Sequence, residues 1–315
     1  MATKQKNTHI TYWRWGVYFL LIGLMAATVI QQRQAIMDAL HVAKTADNIW
    51  FPVSVGFFTL SVVCSTIIYR LLSGGRLGFG RTLQVQTAGL FANKLLPAGS
   101  GALGVSFLYL RANKYSRQAA GVIVASNNLL GMIGHLLLFG LLVVLAPDAI
   151  TKLVGDGRRV LILVGIIVAG LSVLAVLLTW TKTRQKILNN LTELRRLLKR
   201  SDLLLLALLT SMGLTACYAM SLFAAAQALD TGVTISMAFV ALTASVFATA
   251  AIPTPGGIGA AEAGVYIGLK AYGIDSDTAL AVAILYRFVT FWLPLLVGAI
   301  MFWHVSRRHY LQSKL

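Results

Sequence analysis

Acidic side chains are scarce in this chain: ten Asp and Glu among 315 residues, against 27 Lys and Arg, with charged residues of both signs reaching only 12%. So few charges cannot cover the surface of a folded chain this long, which excludes an ordinary water-soluble globule. Cysteine is rarer still. Cys64 and Cys217 are the only two, no CxxC spacing occurs, and both fall in long apolar runs, so a thiolate metal site or a disulfide scaffold is excluded and buried thiols are expected. His135 stands alone in its run, without the further ligands a metal needs. The phosphate-binding pattern GxxxxGK[ST] is missing. Gly99 to Gly104 spells GxGxxG, but no βαβ unit surrounds it and no acidic residue follows about 20 positions on, so a dinucleotide site is excluded. Glu262 is the sole carboxylate in an apolar segment, which argues against paired-carboxylate hydrolysis. Neither catalysis nor a cofactor is expected.

What the chain has in abundance is hydrophobic residues, 57% of the total. A bilayer core about 30 Å thick is spanned by roughly 20 apolar residues in a helix. Runs of that kind cover 13–30, 50–72, 119–145, 160–181, 203–229 and 280–305, and predict six full transmembrane helices. The first follows Lys4, Lys6 and Arg14 but is too long for a signal peptide and is read as a retained anchor. The net charge of +17 does not require nucleic acid as a partner, because cytoplasmic loops of membrane proteins collect Lys and Arg. In 182–200, leucines and isoleucine at helical spacing alternate with seven basic residues; this connector is either an interfacial amphipathic helix on an anionic leaflet or a solvated link that fixes orientation.

Two further apolar segments, 82–110 and 235–271, are interrupted by Asn93-Lys94-Leu95-Leu96-Pro97-Ala98-Gly99-Ser100-Gly101 and by Pro253-Thr254-Pro255-Gly256-Gly257-Ile258-Gly259. Proline and glycine clusters end one helix and permit another, so each segment is a broken crossing or a re-entrant hairpin. Charge chooses between them. With hairpins, nineteen Lys and Arg fall on the side of both termini and six on the other; with single crossings the counts become twelve and thirteen, and the positive-inside bias vanishes. The expected fold is therefore an all-α polytopic membrane protein of six full transmembrane helices plus two oppositely oriented re-entrant helical hairpins in an inverted repeat. It forms a single integral membrane domain over 1–315, with halves at about 50–146 and 203–305 and both termini cytoplasmic. The breaks share the pattern P-x-G-x-G-A, from Pro97 and from Pro255, in keeping with transporter repeats whose broken helices meet near the midplane.

Irregular backbone at membrane depth must be covered by protein or line a wet cavity, so both breaks are expected inside. Their second helices are expected to begin just after Gly101 and Gly259, where free N–H groups attract anions; the same glycines could simply permit close packing. Lys94, Glu262 and Arg287 are the ionisable residues of these apolar segments, each costing about 2.5–3.5 kcal/mol at the membrane centre unless a partner or cavity receives it. Glu262 and Arg287 are the expected ion pair, either a structural clamp or part of a site, which leaves Lys94 for a lipid phosphate. Asn127, Asn128 and His135, with Ser100, Thr249 and Thr254, read mainly as interhelical glue. The candidate substrate-binding set is Asn93, Lys94, Pro97, Gly99, Gly101, Pro255, Gly256, Gly257, Gly259, Glu262, Tyr286 and Arg287.

Asn93-Lys94-Leu95-Leu96-Pro97, the block from Pro253 to Glu262, and Tyr286-Arg287-Phe288 followed by Phe291-Trp292-Leu293-Pro294 and Gly298 resemble the lysylphosphatidylglycerol synthase transmembrane-region family, described as flippase-like. The resemblance covers most of 13–305, and its C-terminal block is the more specific part. Between Ala102 and Ser106 the chain departs from it, with only small, apolar or hydroxyl residues. The resemblance implies lipid translocation, with an anionic or polyprenyl-phosphate lipid as partner and a lipid-modifying enzyme encoded separately. The alternative is a non-transporting membrane partner that anchors such a glycosyltransferase or aminoacyltransferase through the basic connector.

Overall fold

The computed structural model describes residues 49–96, 99–147, 201–308, 310 and 311, with isolated positions between 23 and 47. Within them the chain is all helical: α1 (Trp50–Leu72), α2 (Phe79–Leu95), α3 (Ser100–Ala112), α4 (Arg117–Leu145), α5 (Ser201–Gln227), α6 (Ile235–Ala251), α7 (Ala260–Lys270), α8 (Ser276–Arg287) and α9 (Leu293–Arg307). A π-helical turn, Phe288–Trp292, joins α8 to α9 without a break. Four helices are long and apolar enough to cross a membrane: Trp50–Leu72, Arg117–Leu145, Asp202–Gln227 and the continuous Ser276–Arg307. They correspond to four of the six expected spans. The runs 13–30 and 160–181 and the connector 182–200 lie outside the described residues, apart from isolated positions.

Short polar residues start the helices where the sequence provides them. Asp47 accepts from the Ile49 and Trp50 amides at 2.7 and 3.1 Å, Ser116 caps α4 through the Ala119 amide at 3.0 Å, and Thr234 caps α6 through Met237. Asp275 caps α8, and hydrogen bonds from Thr278, then from Asp277, hold its carboxyl below the usual range.

The packing is inside-out relative to a soluble protein. Leu137, Leu141, Val144, Leu205, Leu209, Leu296 and Ile300 are exposed, while Ser54, Ser61, Thr66 and Ser221 are buried. The antiparallel helices α1 and α5 are tied by Ser54 and Ser221, whose hydroxyls each donate to the other's carbonyl at 2.8 and 3.0 Å. Where water drives no association, small residues and such bonds hold helices together. Cys217 is buried on the same interface, whereas Cys64 is only half-buried, short of the full burial expected of it.

Each interrupted segment folds as an antiparallel pair of helices. In α2 and α3, Thr82 meets the Tyr109 hydroxyl at 3.1 Å, Gln86 meets Ser106, and Gly89 lies against Ala102. In α6 and α7, the Ser245 hydroxyl donates to the Ala261 carbonyl at 3.0 Å, and a Cβ on Gly268 would sit 2.6 Å from the Ala241 Cα. Gly268→Val is accordingly expected to destabilise the protein by about 1–3 kcal/mol through overpacking; an unchanged unfolding temperature in detergent would contradict this contact.

The two ends of the bundle differ in charge. At one end Tyr115 donates to the Ser73 carbonyl and Arg81 lies over Tyr310, which brings the α1–α2 turn, the α3–α4 turn and the end of α9 together. That end carries Arg70, Arg76, Arg81, Arg111, Lys114, Arg117, Arg307 and Arg308 with Asp202. At the other end the Asp47 amide donates to the Ala228 carbonyl, Gln227 donates to the Val233 carbonyl, and Tyr272, Phe139 and Leu142 pack against Val240. Its turns carry Asp47, Asp230, Asp275 and Asp277 with Lys270.

Candidate functional site

The breaks after α2 and α6 meet. Gly256 has φ 58° and lies so close to two other segments of the chain that a Cβ would overlap the Phe291 ring and sit 2.8 Å from the Lys94 carbonyl oxygen. Only glycine meets both conditions, the left-handed backbone and the missing side chain. The loop holds itself in place: the Thr254 hydroxyl donates to the Ile258 carbonyl at 2.8 Å, and the Gly257 amide donates back to Thr254 at 3.0 Å. Gly257 and Gly259 also have positive φ, at 71° and 80°.

Around this meeting point the ionisable side chains converge. Arg287, 7% exposed, donates Nε to Glu262 Oε1 at 2.8 Å and Nη2 to the Gly256 carbonyl at 3.0 Å. Glu262 sits in the first turn of α7, where the helix N-terminus favours a carboxylate. Two basic side chains lie over the Phe291 ring, with its centroid 4.7 Å from the Arg287 guanidinium carbon and 5.5 Å from the Lys94 amino nitrogen. Contacts of this kind are worth about 0.5–2 kcal/mol each, more where water is excluded. Trp292 packs edge-on against Phe291, with centroids 4.8 Å apart. Two acceptors here, Asn93 Oδ1 and Glu262 Oε2, are buried without a hydrogen-bond donor; the third such atom among the described residues, Gln84 Oε1, is further back along α2.

The structure thus gathers Lys94, Gly256, Glu262 and Arg287, with Asn93, Gly99, Pro255, Gly257 and Gly259 in the two adjoining turns; Pro97 lies outside the described residues. Two expectations need correction. Gly101 does not begin a helix: α3 starts at Ser100 with Gly99, φ 74°, as its N-cap, and Gly101 lies inside the helix against the Ala92 backbone, where a Cβ would clash. Gly101 is a packing glycine. The shared P-x-G-x-G-A pattern therefore does not align the two helix starts, which follow its first Gly in one break and its second in the other. Tyr286 is also displaced from the expected group, since it packs in the core with Leu222, Val282 and Leu285.

Phe291 is the site residue that the sequence did not single out, although an aromatic residue four positions after a buried arginine was a readable signal for a stacked pair on one helix face. Of the side chains read as interhelical glue, His135 does join two helices, pairing with Thr243 at 3.2 Å, whereas Thr249 donates to the Ser245 carbonyl and Asn128 to the Val124 carbonyl within their own helices. Among the described residues no group of three His, Cys, Asp or Glu is placed to hold a metal ion.

Apolar outer faces, polar helix contacts and ions gathered where two helix breaks meet define a polytopic α-helical membrane protein. The chain belongs to the family described as the lysylphosphatidylglycerol synthase TM region, which matches residues 15–298. No curated protein matches it. Family and architecture together make it a lipid-handling membrane protein.

Proposed function

We propose that the protein moves an anionic or polyprenyl-phosphate lipid between leaflets, with the head group passing the junction of the two breaks. The observation that carries this reading is the convergence of Lys94, Glu262, Arg287 and Phe291 on the backbone contact between Lys94 and Gly256. Ions and irregular backbone are expensive in hydrocarbon and persist where they line a path or a sheltered cavity.

In this reading α2–α3 and α6–α7 are re-entrant hairpins that enter from opposite faces. The order long helix, hairpin, long helix occurs twice, over about 50–146 and 203–305, which supports an inverted repeat within one membrane domain. The basic end is cytoplasmic and carries both termini, as the distribution of Lys and Arg supports. Asn93, Lys94, Gly99, Gly256, Gly257, Gly259, Glu262 and Arg287 form the path, and Pro255 belongs to its second turn.

Reconstitution into vesicles tests the proposal. Labelled lipid should become accessible to a membrane-impermeant quencher faster with protein than without. Protein that stays folded yet moves no lipid of any head-group class would refute the transport reading.

A further inference from the structure

The continuous helix from Ser276 to Arg307 takes part in two separate packings, and the π turn at Phe288–Trp292 is where it passes from one to the other. Before the turn, α8 packs on α7 and α5: Ala279, Val282 and Leu285 share an apolar cluster with Val265, Leu269 and Leu222, and Arg287 is held to Glu262 and Gly256. Past the turn, α9 packs on α2: Gly298 lies against Thr87 and Phe91, and Val305 shares a second cluster with Val85 and Ala88. Each half of the helix is thus attached to one interrupted segment. The long helices α1 and α5, tied by Ser54 and Ser221, contribute to both clusters and form a common frame.

The helix is locally weak at this changeover. In the π turn the Leu293 amide donates to the Phe288 carbonyl, closing a wider ring than an α-helix has. The Thr290 hydroxyl donates to the Tyr286 carbonyl at 2.8 Å, a back-bond of the kind that bends helices. Pro294 has no amide hydrogen, so the Thr290 carbonyl lacks its α-helical donor. Sharp bends in long helices fall at such prolines and π turns. The weak point also coincides with the meeting of the two breaks, since Phe291, inside the turn, stands against Gly256 of one and beside Lys94 of the other.

We propose that the π turn is a pivot, on which α9 with the α2–α3 pair swings as one piece against α8 with the α6–α7 pair, parting and rejoining the two breaks at the contact between Lys94 and Gly256. The frame of α1 and α5 stays in place. Motion of this kind concentrates its backbone changes in a few residues and leaves the packed faces on either side intact. It needs no cargo, so it is tested apart from transport.

The experiment is double electron–electron resonance on the full chain in lipid nanodiscs, with Cys64→Ala and Cys217→Ala so that only introduced cysteines take the spin label. Leu108→Cys on α3 with Ile267→Cys on α7 reports across the pivot, and Leu108→Cys with Ile300→Cys on α9 reports within one piece; all three positions are exposed. The distance distribution across the pivot should be about twofold or more broader than the one within the piece. It should narrow toward the within-piece width when Thr290→Val and Pro294→Ala are combined, which removes the back-bond and restores the missing amide. Pro294→Ala alone takes its place if the double variant does not fold, and the wild-type pair of distributions decides the matter if neither does. Equal widths in the wild type overturn the pivot. So does a broad distribution that the folded variants leave unchanged, which would put the hinge elsewhere. Neither result depends on whether any lipid moves.

Discussion

Arg287→Met is expected to destabilise the protein by about 3 kcal/mol, the lower end of the range for breaking a buried pair, because Arg287 is buried while the Glu262 side chain that loses its counter-ion is 28% exposed. The guanidinium serves three partners at once: Glu262 Oε1 at 2.8 Å, the Gly256 carbonyl at 3.0 Å and the Phe291 ring. Methionine keeps much of the volume and none of the donors, so the loss reports the polar contacts. Removing both ions in Glu262→Leu with Arg287→Met should recover much of that loss, since a well-packed apolar pair in place of a buried ion pair is often neutral. The check is the unfolding temperature of the two single variants and the double variant in one detergent. Additive losses would mean that the two side chains do not act as a pair.

Phe291→Ala has a comparable expected effect, about 3–5 kcal/mol, from the cavity left by a ring that is 1% exposed. The ring does more than fill space. It carries two basic side chains on its face and packs with Phe91, Leu95 and Leu295, so its loss removes a wall shared by α2, α9 and the second break. Phe291→Leu divides the two roles: it retains apolar bulk and gives up the cation contacts, each worth about 0.5–2 kcal/mol. The alanine variant should unfold at a clearly lower temperature than the leucine variant, and the leucine variant lower than wild type. Equal unfolding temperatures for leucine and wild type would mean that the ring's electrons contribute nothing to holding Lys94 and Arg287.

Much of this molecule could be read from its residues. Length and apolarity gave the span Trp50–Leu72 to the residue, and Pro and Gly marked both breaks, because a missing amide or a missing Cβ acts locally wherever the chain goes. The pairing of Glu262 with Arg287 followed from the cost of leaving either alone in hydrocarbon. What stayed hidden depended on neighbours. Gly99 and Gly101 look interchangeable along the chain, and only the approach of Ala92 makes one a cap and the other a contact. Phe291 reads as one more aromatic residue in an apolar run until Lys94 arrives from a helix nearly two hundred positions earlier. The π turn likewise has no composition of its own.

That turn fixes the rotational phase of everything after it. Its hydrogen bonds reach one residue further than those of an α-helix, so α9 is rotated by about 100° from where α8 would otherwise have carried it. Before the turn the helix shows Arg287 to Glu262; after it, Gly298 faces the backbone of Thr87 and Phe91, where no Cβ would fit. The two faces serve different breaks, and a single long helix satisfies both only because of that one extra residue. An insertion or deletion between 288 and 292 is therefore a change to the whole of α9, sending Gly298 away from α2 and a bulkier neighbour into its place.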